Sequence, residues 1–145
     1  MELPFSEVQC RRAWELFRTT GQPLALLLQE TRGTTPEIAG YQGYFVPSIH
    51  HKQRGGQFKT EAQAAIFIRK DIPHTQVDTS SYCTEIQETV AVRCTINKTR
   101  YLLASHYARP TTNYRATPGI DYSWLPNLRQ QYPHDKLLFV GDFQR

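Results

Sequence analysis

No apolar run in this chain is longer than Leu24-Ala25-Leu26-Leu27-Leu28, and that run limits the fold more than any other stretch. An amphipathic helix would show apolar residues on one side only, and a half-covered strand would alternate. A short run that is apolar throughout, with Gly21 and Pro23 before it and Gln29-Glu30 after it, suits a strand buried on both faces. Such a strand needs a layer above it and a layer below it. That points to an α/β fold with sheets packed in layers. The run is also far short of the roughly 20 apolar residues that span a bilayer. No membrane segment is expected, and the N-terminus MELPFSEVQCRRAWELF has no apolar stretch of the kind that marks a signal peptide.

The 145 residues suit a single domain over 1–145, and 39% hydrophobic residues are enough to build its core. Lys and Arg outnumber Asp and Glu by 17 to 13, a formal charge of +4. This mild basic bias is compatible with a polyanionic partner. No obligate protein partner is implied. The cysteines, Cys10, Cys83 and Cys94, are widely spaced and form no CxxC pair. They read as reduced thiols, at least two of them in the core, which suits the nucleus or cytoplasm.

Ser6 and Gln9 have capping-box spacing, and Phe5, Val8, Ala13, Leu16 and Phe17 recur at helical spacing. A helix is predicted there, stopped by Gly21. Strands are predicted at Leu24–Leu28, Tyr41–Val46 and Ala64–Lys70, with a basic, glycine-containing loop over His50–Gln63. Asp71–Glu85 reads mostly as connection. Glu88–Thr95 and Arg100–Tyr107 flank Asn97-Lys98 and form a hairpin. Ala108–Pro118 is a loop. Ser123 stands before a helix from Trp124 to about Tyr132, with Pro126 in its first turn. Lys136–Val140 is a last strand.

Two apolar strands lead into acids: Leu27-Leu28-Gln29-Glu30 and Phe139-Val140-Gly141-Asp142. Ligand sites of layered α/β proteins lie at strand ends. Two carboxylates there can hold magnesium, which accepts one or two protein carboxylates and keeps its waters. Acids also follow strands simply because water is there, and the two explanations carry similar weight. Tyr107 ends another strand and offers a phenol to a phosphate oxygen, or is a half-buried tyrosine at a sheet rim. His106 alternates away from it and reads as structural. His50, His51, Lys52 and Arg54 read first as a solvated basic loop and second as DNA contacts.

The ordered set LLLQE, a glycine-containing loop with GY, AAIFIRKDIPH, ETVAVRC, YLLASHYARP and LLFVGDF resembles the endonuclease domain of non-LTR retrotransposons. That family is similar to apurinic/apyrimidinic endonucleases within the endonuclease/exonuclease/phosphatase superfamily. The resemblance runs from about Arg12 to Arg145. It implies a four-layer α/β sandwich of mixed sheets flanked by helices. It also implies phosphodiester cleavage dependent on Mg2+ or Mn2+, which nicks target DNA. By position, Glu30 matches the metal-binding glutamate, Tyr107 the tyrosine near the scissile phosphate, and Asp142 the aspartate that orients or activates water. Gln144 stands where the family has asparagine, and its longer side chain displaces the amide. A displacement of about 1 Å costs on the order of a hundredfold in rate. Gln9 stands where an N-terminal asparagine is expected, and the stretch before Glu30 looks short for a complete first strand. Lys52, Arg54 and Arg109 become candidate phosphate contacts.

The family's later strands and its Asp-His pair have no counterpart up to Arg145. The resemblance therefore implies a partial sandwich with impaired nicking, apolar strand faces left uncovered and an unpaired edge at Lys136–Val140. The alternative is a non-catalytic remnant that binds nucleic acid weakly or has no activity. A phosphatase of the same superfamily ranks below both.

Overall fold

The computed structural model describes residues 12–16, 22–29, 37–45, 48–52, 58–61, 63–84, 86–108 and 121–141. In chain order the strands are β1 (Arg12–Leu16), β2 (Ala25–Gln29), β3 (Tyr41–Phe45), β4 (Ser48–Lys52), β5 (Phe58–Glu61), β6 (Ala64–Arg69), β7 (His74–Val77), β8 (Gln87–Ile96), β9 (Thr99–Ala108) and β10 (Lys136–Gly141). One helix, α1 (Trp124–Gln131), precedes β10. One sheet has the order β1-β2-β6-β3 with antiparallel neighbours throughout. The other has the order β10-β9-β8-β7, antiparallel except for the parallel pair β10–β9. A parallel pair needs a crossover rather than a tight turn, and α1 lies in that connection.

Strand alternation sorts the apolar residues into layers. Ala25, Leu27, Ala64, Ile66 and Ile68 face Val90, Val92, Cys94, Ile96 and Leu103 between the two sheets. Leu26, Leu28, Ala65 and Phe67 form a second cluster with Ile38 and Tyr41 on the outer side of the first sheet. Ala91, Leu102 and Ala104 take Trp124 and Leu128 of α1 on the outer side of the second. β2 is therefore buried at every position, as its apolar run requires. The α/β sandwich expected from the sequence is the architecture of the chain. Where β3 crosses β6, Gly43 leaves room for the Phe67 ring, since a Cβ there would lie 2.7 Å from its Cε1.

The hairpin β8–β9 turns at Asn97 and Lys98, both with positive φ (50° and 65°). Positive φ at both central residues is the turn that matches strand twist, and asparagine tolerates it best after glycine. The helix at Trp124 forms as expected with Ser123 at its N-cap, but the Ser123 side chain makes no capping bond. The Asp121 carboxylate instead accepts from the Ser123 N–H at 2.8 Å. Cys83 and Cys94 are free, buried thiols, both pushed up to about 11 by burial. No helix among the described residues is long and apolar enough to cross a membrane.

Three sequence expectations change. Residues 12–16 form β1 rather than part of a helix, paired from Arg12↔Gln29 to Leu16↔Ala25. Ala13, Trp14 and Leu16 hold both a three-apart and a two-apart pair, so the local pattern suits either form, and a ladder with the most buried strand outweighs an isolated helical turn. The stretch before Glu30 therefore does hold a strand. The predicted loop at 50–63 holds most of the ribbon β4–β5, which begins at Ser48. The connection at 71–85 contains β7 and a short 3-10 turn, Ser80–Tyr82. Residues 1–11, with Ser6, Gln9 and Cys10, and most of the 108–118 loop lie outside the described residues.

β10 is tied at its start. Asp135, 4% exposed, accepts two bonds from Arg93, from Nε at 2.6 Å and Nη2 at 3.1 Å, while the Arg93 guanidinium lies 4.1 Å over the Tyr132 ring. Arg69 and Asp71 form a similar fork in the open. Asp135→Asn should cost about 1–3 kcal/mol, since it weakens bonds to a charged group on the buried side of a pair. Asp71→Asn should leave the urea midpoint unchanged within error, because exposed pairs are screened. Equal midpoints for the two variants would contradict this ranking.

Candidate functional site

Five strands bring their ends together at one end of the sandwich. Gln29 closes β2 opposite Ala64, the first residue of β6. Glu88, near the start of β8, pairs with Tyr107 near the end of β9. Gly141 closes β10 beside His106. Strand parity puts Gln29, Glu88, Ser105 and Tyr107 on the inner face, where the apolar core gives way to polar groups.

These groups are bonded across the two sheets. The Gln29 amide Nε2 donates to Ser105 Oγ at 2.8 Å, and Ser105 Oγ donates to the Leu28 carbonyl oxygen at 2.8 Å. Glu88 Oε1 accepts from the Gln63 N–H at 2.8 Å and from the Ala64 N–H at 3.3 Å. Gln29, Glu88 and Ser105 are all buried, and burial of such groups is tolerated because they are bonded. Tyr107 is half-buried and packs against the inner core. On the adjoining strand position, Gln87 bonds the Tyr82 carbonyl oxygen and both backbone groups of Asp121, which holds the entry to α1 at this end.

The outer face behind this end is aromatic. The His106 ring stacks on Trp124 at 5.1 Å and tilts against Tyr122 at 5.6 Å, and its Nδ1 lies 2.9 Å from Thr89 Oγ1. Burial pushes the imidazole down to about 4. His106 thus faces away from Tyr107, as alternation requires, and supports the sheet from behind.

Of the residues singled out in the sequence, Tyr107 is described and stands at this end. Lys52 closes β4 opposite Phe58. Glu30, Arg54, Arg109, Asp142 and Gln144 lie outside the described residues. The residues preceding Glu30 and Asp142 in the chain, Gln29 and Gly141, are the strand ends just described. The sequence reasoning passed over Gln29, Glu88 and Ser105. Parity was the available signal: Glu88 shares its side of β8 with Val90 and Val92, so a carboxylate there enters the core. Among the described residues no three His, Cys, Asp or Glu side chains gather as a metal site.

No family model matches the chain, and no curated protein does. Among solved structures, the chain is similar to one titled "Endonuclease domain of TRAS1, a telomere-specific non-LTR retrotransposon", at 18% identity and a TM-score of 0.40. The match covers 72% of this chain and 41% of that one, so this chain spans less than half the length of that neighbour.

The buried imidazole sets a pH dependence. His106 stays neutral in the fold down to about pH 4, whereas an unfolded histidine takes its proton near 6.5. Between these values the unfolded chain binds more protons, so stability rises with pH across the window and is complete above 6.5. The difference amounts to roughly 3 kcal/mol. Asp71, Asp78 and Asp121, each held low by hydrogen bonds, act below this window. Urea unfolding between pH 4 and 7 should show the rise, and His106→Gln should flatten it. An unchanged slope in the variant would rule His106 out as its source.

Proposed function

We propose that this chain carries a nuclease-type site that hydrolyses phosphodiester bonds in DNA with a divalent metal, located at the end of the sandwich where β2, β9 and β10 stop. One observation supports the reading. Three stretches far apart in sequence, Leu26–Gln29, Ala104–Ala108 and Leu138–Gly141, lie on β2, β9 and β10, whose ends meet through the cross-sheet bonds of Ser105 to Gln29 and Leu28 and through the register His106↔Gly141.

The inner-face side chains described at this end offer oxygens and amides, with no thiol or imidazole among them. Such surroundings suit a hard cation, magnesium or manganese, better than zinc. In this reading the Glu30 carboxylate holds the metal, which when bound polarises the scissile phosphate and offsets charge on the leaving oxygen. Asp142 orients the attacking water and takes its proton. The Tyr107 hydroxyl donates to a phosphate oxygen, and the Gln144 amide helps to hold the same group. Lys52, Arg54 and Arg109 contact the DNA backbone. Binding without cleavage is the second reading. It is favoured by the basic stretch around β4 and β5, whose contact with DNA would not need the site.

Nicking of supercoiled plasmid with magnesium tests both. Glu30→Ala and Asp142→Ala should each lower the rate by about 10²-fold or more, the usual weight of a positioned acid or base. Tyr107→Phe should cost about tenfold, the loss of one bond to a charged group. Nicking indifferent to all three substitutions would overturn the site. Salt-sensitive DNA binding with no nicking would favour the second reading.

A further inference from the structure

We infer that Glu88 is a positioning residue that fixes the root of the basic β4–β5 ribbon at the candidate end of the sandwich. A nucleic acid held by the ribbon would then lie in a set relation to Tyr107. The nucleic-acid part rests on the reading above; the anchoring part stands on geometry alone.

The ribbon is an insertion between two neighbouring strands of the first sheet. β3 ends at Phe45 and β4 begins at Ser48; β5 ends at Glu61 and β6 begins at Ala64. Phe45 pairs with Ala65, so both connections leave from the end of the sheet where Gln29 and Glu88 stand. The ribbon pairs Ser48↔Glu61, His51↔Lys59 and Lys52↔Phe58, with a register shift between Ser48 and His51. The 48–61 stretch holds Lys52, Arg54 and Lys59 against one acid, Glu61. A two-stranded ribbon is marginal in water by itself and gains order from whatever holds its base.

Glu88 is positioned to hold it. Its carboxylate crosses from β8 to the last residue before β6 and to the first residue of β6, Gln63 and Ala64. It is 1% exposed, at a position where the strand otherwise carries valine into the core. A buried carboxylate costs far more than a valine unless its bonds matter, and bonds to a charged acceptor are the strong kind.

Amide hydrogen exchange on the whole chain, read by mass spectrometry, tests the anchor. In Glu88→Ala, amides at 58–64 should exchange at least about tenfold faster while 90–104 keep their protection. Glu88→Gln keeps an acceptor oxygen and should recover most of the lost protection. No change at 58–64, an equal loss across β8 and β9, or a Gln variant no better than Ala would each overturn the anchoring role. A second arm measures binding of a short DNA duplex at stepped salt. Glu88→Ala should weaken binding and lower the salt slope, as Lys52→Ala should. Faster exchange with unchanged binding would overturn the link to nucleic acid. If the unaltered chain binds no duplex at low salt, the nucleic-acid reading falls and the exchange arm still decides the anchor.

Discussion

The Ser105 hydroxyl donates to the Leu28 carbonyl oxygen and accepts from the Gln29 amide, so one side chain of β9 fixes the last two residues of β2. Apolar packing between the sheets has no direction of its own and would tolerate small slides. Two bonds to one hydroxyl do not. They set the distance between the sheets where the core ends, and Glu88 repeats the tie from β8 to β6. Removing either takes strong bonds away from buried polar atoms, a cost of about 1–3 kcal/mol. The candidate end is therefore rigid for a different reason from the rest of the sandwich. The interior is held by shape, this end by satisfied polar groups.

That division explains what the sequence discloses. Leu24–Leu28 declares a doubly covered strand because the run is too short for a buried helix and has turn residues before it. Asn97-Lys98 declares its turn because few residues accept positive φ. Trp124 and Leu128, four apart, declare the covered face of α1. These are local rules, and they hold. β1 escapes them, because its apolar residues fit a helix as well as a strand and only its pairing with β2 decides. The β4–β5 ribbon escapes them because a basic, glycine-containing stretch looks like loop until its two halves pair. Ser105 and Glu88 escape for a third reason. Their partners lie 77 and 25 residues away, and nothing in their neighbourhood names those partners. Glu30 and Asp142 stood out because each ends an apolar run, a sign of a strand end but not of a shared one. Only the Ser105 bonds across the two sheets, with the β9–β10 register, bring those strand ends to one place.

The strand ends converging there are not equally secure. β2 is buried at every position and lies between β1 and β6. β9 lies between β8 and β10. Among the described residues β10 pairs with β9 alone, and it is half-buried: Leu138 and Val140 reach the inner core, while Phe139 meets Trp124 edge-on yet remains 40% exposed. Apolar area withdrawn from water is what makes a strand costly to open, so local opening should begin at β10. The Arg93–Asp135 fork and the Tyr132 ring hold its first residues, and the stack of His106 on Trp124 supports the sheet behind its last ones. Gly141 therefore closes the least covered strand of the three, with an aromatic wall behind it whose His106 stays neutral above about pH 4. This end loosens first at β10, before β2 or β9.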